Sequence, residues 1–426
     1  MVVQSKIQNP RSTIVAGVTI LLALARAEVG AQTTAVVHRM DGRVETIQLE
    51  GAQFESAEKG ILRGRASGRS VEYRSNEIWQ IELDSERVPR GSAEQLWLTD
   101  GSRLSGQLVR WIVSQRAVTW TDLFRTIELF DEVIAGLTRG DPPPSRLPVG
   151  VAGKDALYTT DGDRMAGQLL RIEDGDFAFR SELGNITCSR QKVSALVLAP
   201  KSAVRDQPSA ISDQPSAVGV RKSEIRNPKS DGPWVLEFAN GDRVWTQSWA
   251  IEGGRLRCTV GGGAPTAPAA RLCGAVALGP RVEVFSRIQP QHFTMRPILA
   301  GTHAILVDCA PENRPLRIGE REYLFGLFLR PECEMEYALG DEAEFFLAQA
   351  GLSSELARDV GAARIAFALG DGPWKSFELT RNAAPVAISL GLSGSKRLRI
   401  RVEADDDWGC GAHVVLGEPV LIRRQK

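Results

Sequence analysis

Histidine is scarce in this chain: four in 426 residues, at His38, His292, His303 and His413. They are too scattered for the close spacing that metal ligands on one element show. Six cysteines include no C-x-x-C pair, which argues against a zinc ribbon or a thioredoxin-like redox site. There is no H-E-x-x-H, no G-x-S-x-G elbow and no phosphate-cradling loop before a helix. Helical periodicity itself is almost absent. A carboxylate pair for glycoside hydrolysis can come from distant strands and leaves no local signature; each segment here is nevertheless small for a catalytic domain. Charge of one sign is also missing, with Lys+Arg and Asp+Glu both at 52. A phosphate-neutralising protein shows a basic excess, so nucleic acid is not an expected partner. These absences point to a non-enzyme with neither cofactor nor metal.

Only one long apolar run is present, Ile14–Ala25, preceded by Lys6 and Arg11 and followed by small residues at Ala25-Arg-Ala27 and Val29-Gly-Ala31. That order is the one of a secretory signal peptide. The run is shorter than the roughly 20 residues that a spanning helix needs. The expectation is an exported protein, secreted or periplasmic, with residues 1–31 as the signal and no membrane span after its removal. An uncleaved anchor is the alternative. Export permits disulfides, and Cys258 with Cys273 is one candidate pair; buried free thiols are equally compatible.

What the chain does have is self-similarity. Val37-His-Arg-Met-Asp-Gly-Arg-Val44, Leu96-Trp-Leu-Thr-Asp-Gly-Ser-Arg-Leu104, Leu157-Tyr-Thr-Thr-Asp-Gly-Asp-Arg-Met165 and Leu236-Glu-Phe-Ala-Asn-Gly-Asp-Arg-Val244 share one pattern. Each reads as strand, Asp-Gly or Asn-Gly turn, and strand, which predicts type I′ hairpins. Copies two and three continue through Leu104-Ser-Gly-Gln-Leu108 and Met165-Ala-Gly-Gln-Leu169, where an internal Gly suggests a bulge or sharp bend. Each copy closes 31 to 36 residues after its turn on a related phrase at Glu77–Ile81, Glu132–Ile134, Lys192–Leu196 or Arg271–Val276. The spacing predicts four small antiparallel units, as small barrels or paired sandwiches, over 32–88, 92–139, 153–200 and 231–280. A Pro-rich linker is expected at 140–152. A disordered insertion is expected at 201–230, where Asp206-Gln-Pro-Ser-Ala recurs at Asp213. The opening strand, turn and Gly-x-Leu strand weakly resemble Sm-like small β-barrels.

From about residue 281 the rhythm lengthens. Strands are expected at 316–329, 334–339, 343–349, 363–369, 386–392, 397–403 and 414–422, enough for a jelly roll or related sandwich. In Leu398-Arg-Ile-Arg-Val402 apolar and basic residues alternate, so one face is buried and the other solvated. The fold class is therefore all-β: repeated small antiparallel units followed by a β-sandwich over 281–426.

Five phrases of this last third carry a resemblance: Val282–Pro290, Pro315–Gly326, Ile365–Gly372 followed by Ser376, Ile388–Leu398, and Gly411-Ala-His-Val-Val-Leu-Gly-Glu-Pro419. In order and spacing they resemble the NPCBM family of carbohydrate-binding modules, a galactose-binding-like jelly roll carried by secreted bacterial proteins and glycosidases. The chain departs from that pattern at Arg330, where the family has His, at Leu416, where it has Trp, and over Gly351–Glu355. The resemblance implies a glycan as ligand.

A sugar site stacks the C–H face of a pyranose on an aromatic ring and surrounds it with polar groups. The candidates are Trp374 and Trp408, with His413 and Glu418 near Trp408 in sequence. Ordinary packing at a sandwich edge is the competing reading for either Trp. Asp405-Asp-Asp407 is read as a solvated turn, with structural Ca²⁺ the lesser alternative. The expected function is an exported, non-catalytic carbohydrate-binding protein. The alternative is an envelope scaffold with protein partners, whose jelly roll has lost sugar binding.

Overall fold

The computed structural model describes residues 33–85, 94–112, 117–122, 125–140, 147–173, 175–199, 233–261, 263–296, 305–355, 361–381, 383–392, 394–405 and 412–424. The expected signal segment and the insertion at 201–230 lie outside these residues, as do residues 141–146 of the Pro-rich linker.

The first unit runs β1 (Thr33–Arg39), β2 (Val44–Phe54), β3 (Gly60–Ala66), β4 (Arg69–Arg74), a 3-10 turn at Ser75–Glu77 and β5 (Ile78–Leu83). The second has β6 (Glu94–Leu98), β7 (Arg103–Ile112), β8 (Ala117–Asp122), β9 (Arg125–Phe130), a 3-10 turn at Asp131–Val133 and β10 (Ile134–Arg139). The third has β11 (Asp155–Thr159), β12 (Arg164–Glu173), β13 (Asp176–Ser181), β14 (Gly184–Ser189), a 3-10 turn at Arg190–Lys192 and β15 (Val193–Val197). In the fourth, β16 (Trp234–Phe238) is followed by a second strand split into β17 (Arg243–Thr246) and β18 (Trp249–Glu252). Then come β19 (Arg255–Cys258), β20 (Thr266–Pro268), a 3-10 turn at Ala269–Arg271 and β21 (Leu272–Ala277). In every unit the last strand returns to pair antiparallel with the first.

The hairpin turns differ from the type I′ expectation. Only the glycines are left-handed, Gly42 at φ 79°, Gly101 at 97°, Gly162 at 91° and Gly241 at 79°; the Asp or Asn before each is not. The amides of Gly42, Gly101, Gly162 and Gly241 donate to the carbonyls three residues back, and the next pair closes across the strands. This is a three-residue loop with a left-handed Gly at its end. The side chain explains the choice: Asp41, Asp100 and Asn240 accept the amide two residues on at 3.1, 2.7 and 3.2 Å, holding a right-handed turn.

The internal glycines serve close approach. A Cβ on Gly106 would sit 2.3 Å from the Thr121 carbonyl oxygen, and one on Gly167 2.0 Å from that of Arg180. The backbone of the third strand therefore lies close against the second at these points, leaving no room for a side chain. The register shifts follow just beyond, at Leu108/Arg110 and Leu169/Arg171.

The units associate in pairs. Units one and four join through β5–β21 and β2–β18; units two and three join through β10–β15 and β7–β12. The pairs meet where β7 touches β17: Arg103 stands opposite Arg243, and the Trp245 amide donates to Ser102 Oγ at 2.9 Å. Phe54, Trp234 and Trp249 cluster at the first junction with ring centroids 4.5 to 5.6 Å apart. Cys258 and Cys273 are not bridged. Cys258 faces the core from β19, whose partners are β18 and β20, while Cys273 lies on β21 between β16 and β5.

The remainder comprises β22 (Val282–Val284), β23 (His292–Met295), β24 (Leu306–Val307), β25 (Leu316–Ile318), β26 (Arg321–Tyr323), β27 (Gly326–Leu329) and β28 (Cys333–Ala338). It continues with β29 (Ala343–Leu352), β30 (Ala362–Leu369), β31 (Lys375–Thr380), β32 (Val386–Gly391), β33 (Arg397–Ala404) and β34 (Val414–Arg423). A six-stranded sheet, β24-β27-β34-β29-β32 with β22 on β34, packs on a five-stranded sheet, β23-β28-β33-β30-β31. Phe346, Phe367, Ile365, Ile400 and Leu416 fill the space between. The stretch 316–329, expected as one strand, is a small hairpin, β25–β26, followed by β27. Gly319 at φ 58° turns the chain there.

Strand β34 is buried at nine consecutive positions, Val414–Ile422, so neither of its faces meets water. The reason is tertiary. Its outward residues Val420 and Ile422 pack with Met40, Trp79, Val276, Phe325 and Leu347 in a core shared with units one and four.

Candidate functional site

Two places on the sandwich gather chemistry. The first is the outer face of the five-stranded sheet. Alternation along β33 sends Leu398, Ile400 and Val402 into the core. Arg397, Arg399, Arg401 and Glu403 are thereby left on the other side. On β30, Ala366 and Ala368 stand opposite Arg401 and Arg399. Trp374, half-buried ahead of β31, has the Arg401 guanidinium 4.3 Å and the Arg399 guanidinium 4.9 Å from its ring centroid. Cation–π attraction fixes the indole there. Arg401 donates to Glu334 at 2.9 and 3.0 Å, Arg397 to Asp371 at 3.0 Å, and Arg364 to Glu378 at 2.6 Å. What the face offers a ligand is one aromatic ring among guanidinium and carboxylate groups.

The second is the junction between the six-stranded sheet and unit one. Glu418 is 2% exposed and sits at φ 47° in a strand. Its carboxylate accepts from Gln80 Nε2 at 2.7 Å and from Arg321 at 3.2 Å. Arg321 also donates to Glu82 at 2.7 Å, and Glu82 faces His38 Nε2 at 3.1 Å. Burial pushes the Glu82 carboxyl up, but His38 and Arg321 outweigh it and hold the group at about 2. For Glu418, burial dominates over Arg321 and raises the carboxyl above its ordinary value. Beside them lies a cavity of about 280 Å³ lined by Gln80, Glu82, Glu237, Arg243, Arg321 and Glu418 among others.

A neighbouring buried pair, Arg103 with Glu322 at 2.8 Å, ties unit two to β26. Asp242 lies close by and accepts from the Ser105 amide at 2.5 Å and from Asn240 Nδ2 at 2.8 Å. Burial nevertheless raises its carboxyl to about 6.

The structure does not bring the sequence-predicted residues together. Trp374 belongs to the five-stranded side. His413 and Glu418 belong to the six-stranded side, with the apolar core in between. His413 stacks on Phe328 with ring centroids 5.2 Å apart, and Glu418 faces unit one instead of solvent. Trp408, together with Asp406 and Asp407, lies outside the described residues. Asp405, where β33 leads towards them, bonds through its amide to Ala362. That is the opposite end of β30 from Trp374. Among the described residues no group of three or more His, Cys, Asp or Glu is placed to hold a metal ion. Nor is any helix among them long and apolar enough to cross a membrane.

Sequence reasoning missed Arg399, Arg321, Glu82 and Gln80. The alternation of 398–402 does signal an arginine row; nothing local signals a contact that joins Glu82 to a residue 239 positions away.

No curated protein sequence matches the chain. Among solved structures it is similar to the CBM51 of Clostridium perfringens GH95 in complex with methyl-galactose. The identity is 17%, the coverage 33% of this chain and 99% of that one, and the TM-score 0.30. It is also similar to the tandem CBM51 modules of a family 98 glycoside hydrolase from Streptococcus pneumoniae, with 11% identity, coverage of 45% and 71%, and a TM-score of 0.30. A third is the CBM51-2 and INT domains of Clostridium perfringens ZmpB, with 12% identity, coverage of 41% and 39%, and a TM-score of 0.31. The match to the NPCBM/NEW2 family model begins at residue 289, so the four β units lie outside it. Residues 289–422 match that model, and the sandwich in the last third of this chain is an NPCBM/NEW2 domain.

Proposed function

We propose that this is an exported, non-catalytic protein that binds carbohydrate through its NPCBM/NEW2 domain, with the four β units presenting that domain. The observation that carries the reading is the family match over 289–422. The Trp374 face supports it, since a half-buried ring flanked by hydrogen-bonding side chains is what a sugar residue needs. On this reading Trp374 contributes the aromatic contact, with Trp408 as a second candidate. The order of residues 1–31 supports export, which would place the protein outside the cytoplasm.

A second reading, a scaffold with protein partners in the envelope, draws support from one feature. The outer face of the six-stranded sheet is packed against the β units, so the domain is built into a larger body. A glycan array with the full chain, beside Trp374→Ala and Trp408→Ala, separates the two. Binding that falls at least tenfold in either variant supports the carbohydrate reading. No binding by a folded wild-type chain removes it in favour of the scaffold.

A further inference from the structure

Resting on the carbohydrate reading, we propose that the Trp374 face selects a glycan residue bearing a carboxylate, and that Arg399 is the side chain that reads it. The argument starts from charge pairing. Arg364, Arg397 and Arg401 on this sheet face each have a carboxylate partner: Glu378, Asp371 and Glu334 at 2.6 to 3.0 Å. Arg399, in the middle of the row, has none among the described residues. The residue directly across from it on β28, Glu336, is drawn instead to Arg397 at 3.6 Å.

Arg399 is half-buried, and its Nε is buried without an acceptor. Its guanidinium lies 4.9 Å from the Trp374 ring centroid. An arginine cannot relieve such a position by losing its proton, and a buried N–H without an acceptor costs free energy. The Nε itself is shut off from solvent, so an anion from outside would be taken at the terminal Nη groups. The guanidinium fork takes a carboxylate in two parallel hydrogen bonds, which a neutral hydroxyl cannot reproduce. The indole beside it offers an apolar surface to the sugar ring that carries the carboxylate. A uronic-acid residue of a polysaccharide combines these two features; a neutral hexose has only one.

The test uses the full chain and polygalacturonate, with its methyl-esterified form and a sulfated galactan as comparison arms, at fixed ionic strength. Titration calorimetry should show binding to polygalacturonate at least tenfold tighter than to the ester, which removes the charge and keeps the ring. Arg399→Gln should abolish that preference. Arg364→Gln, which removes a paired charge from the same face, should leave it within about twofold. Thermal midpoints of both variants check that they fold.

Equal affinity for acid and ester overturns the inference, as does loss of preference in both variants, which marks general attraction to charge. A sulfated galactan bound as tightly as the uronate overturns the carboxylate assignment. Binding of neutral glycans alone, lost in Trp374→Ala, overturns this inference and leaves the carbohydrate reading standing. Binding to no glycan overturns both.

Discussion

Arg321 of the sandwich donates to Glu82 of the first β unit at 2.7 Å and to Glu418 of its own sheet at 3.2 Å. One guanidinium thus holds two carboxylates from opposite sides of the junction. Gln349, which donates to Glu82 at 3.0 Å, and Tyr323, which donates to Gln349 at 2.9 Å, complete the network.

Removing one member of such a buried set leaves the others unpaired. Arg321→Ala is expected to cost about 3 kcal/mol of stability by urea unfolding. Arg321→Met with Glu418→Gln should recover part of that loss, because fewer charges remain buried. A cost under about 1 kcal/mol for the single variant would show that the network is incidental.

The pH profile should carry two opposite signatures. The folded Glu82 carboxyl stands at about 2, below its ordinary 4.5. Its contribution is therefore full above about 4.5 and lost as pH falls towards 2. Asp242 is raised from 3.8 to about 6, so its contribution is full below 3.8 and lost as pH rises through 6. Glu82→Gln should flatten the acid limb. Asp242→Asn should flatten the decline between pH 4 and 6, an effect of about 2–3 kcal/mol. Chemical denaturation at pH 3, 4, 5, 6 and 7 reads both. An unchanged slope in Asp242→Asn would refute the assignment.

Two glycines of the third unit should behave differently. At Gly162, φ is 91° and nothing lies within 4 Å of a Cβ, so Gly162→Ala should cost only left-handed strain, about 1 kcal/mol. At Gly167 a Cβ meets the Arg180 carbonyl, and Gly167→Ala should cost about 3 kcal/mol because backbone must move. Thermal midpoints that rank the two the other way would contradict the close approach of β13 to β12 at Gly167.

Thiol reactivity offers a further check. Burial pushes the Cys333 thiol up to about 12 from 9.0. At pH 8 its thiolate fraction is then about a thousandfold smaller than that of an ordinary cysteine. Under native conditions iodoacetamide should modify the half-buried Cys188 while leaving Cys333 intact, as read by peptide mass mapping. Rapid labelling of Cys333 in the folded chain would show that β28 opens locally.

The hairpins were legible because their information is local. Asp41-Gly42 and its three counterparts marked each turn, although the type was misread: an Asp side chain accepting the second amide onward favours a right-handed turn with Gly last. The closing phrases, such as Glu77–Ile81, fell on the 3-10 turn and final strand of each unit. Strand β31 and the break at Gly319 were not read: the alternation of β31 rests on Phe377 and Leu379 alone, and Gly319 sits in a short polar run. Of the site, Trp374 could be named from its loop, and the arginine row from its alternation. That Arg399, of the arginines described on this face, lacks a carboxylate among the described residues depends on where Glu336 turns, and strand sequence does not encode it.

By itself the sequence determined the all-β class, the repeated strand–turn–strand units and the NPCBM-like closing phrases. The first two rest on period-two alternation and turn residues within a few positions; the third is a resemblance carried by short phrases in a set order. Only the tertiary structure decided the pairing of unit one with four and two with three. It also decided the burial of both faces of β34, and the joining of Glu82, Arg321 and Glu418. The physical reason is that these contacts join surfaces far apart in the chain. Which apolar face covers which, and which carboxylate a guanidinium reaches, is settled by packing after the strands exist.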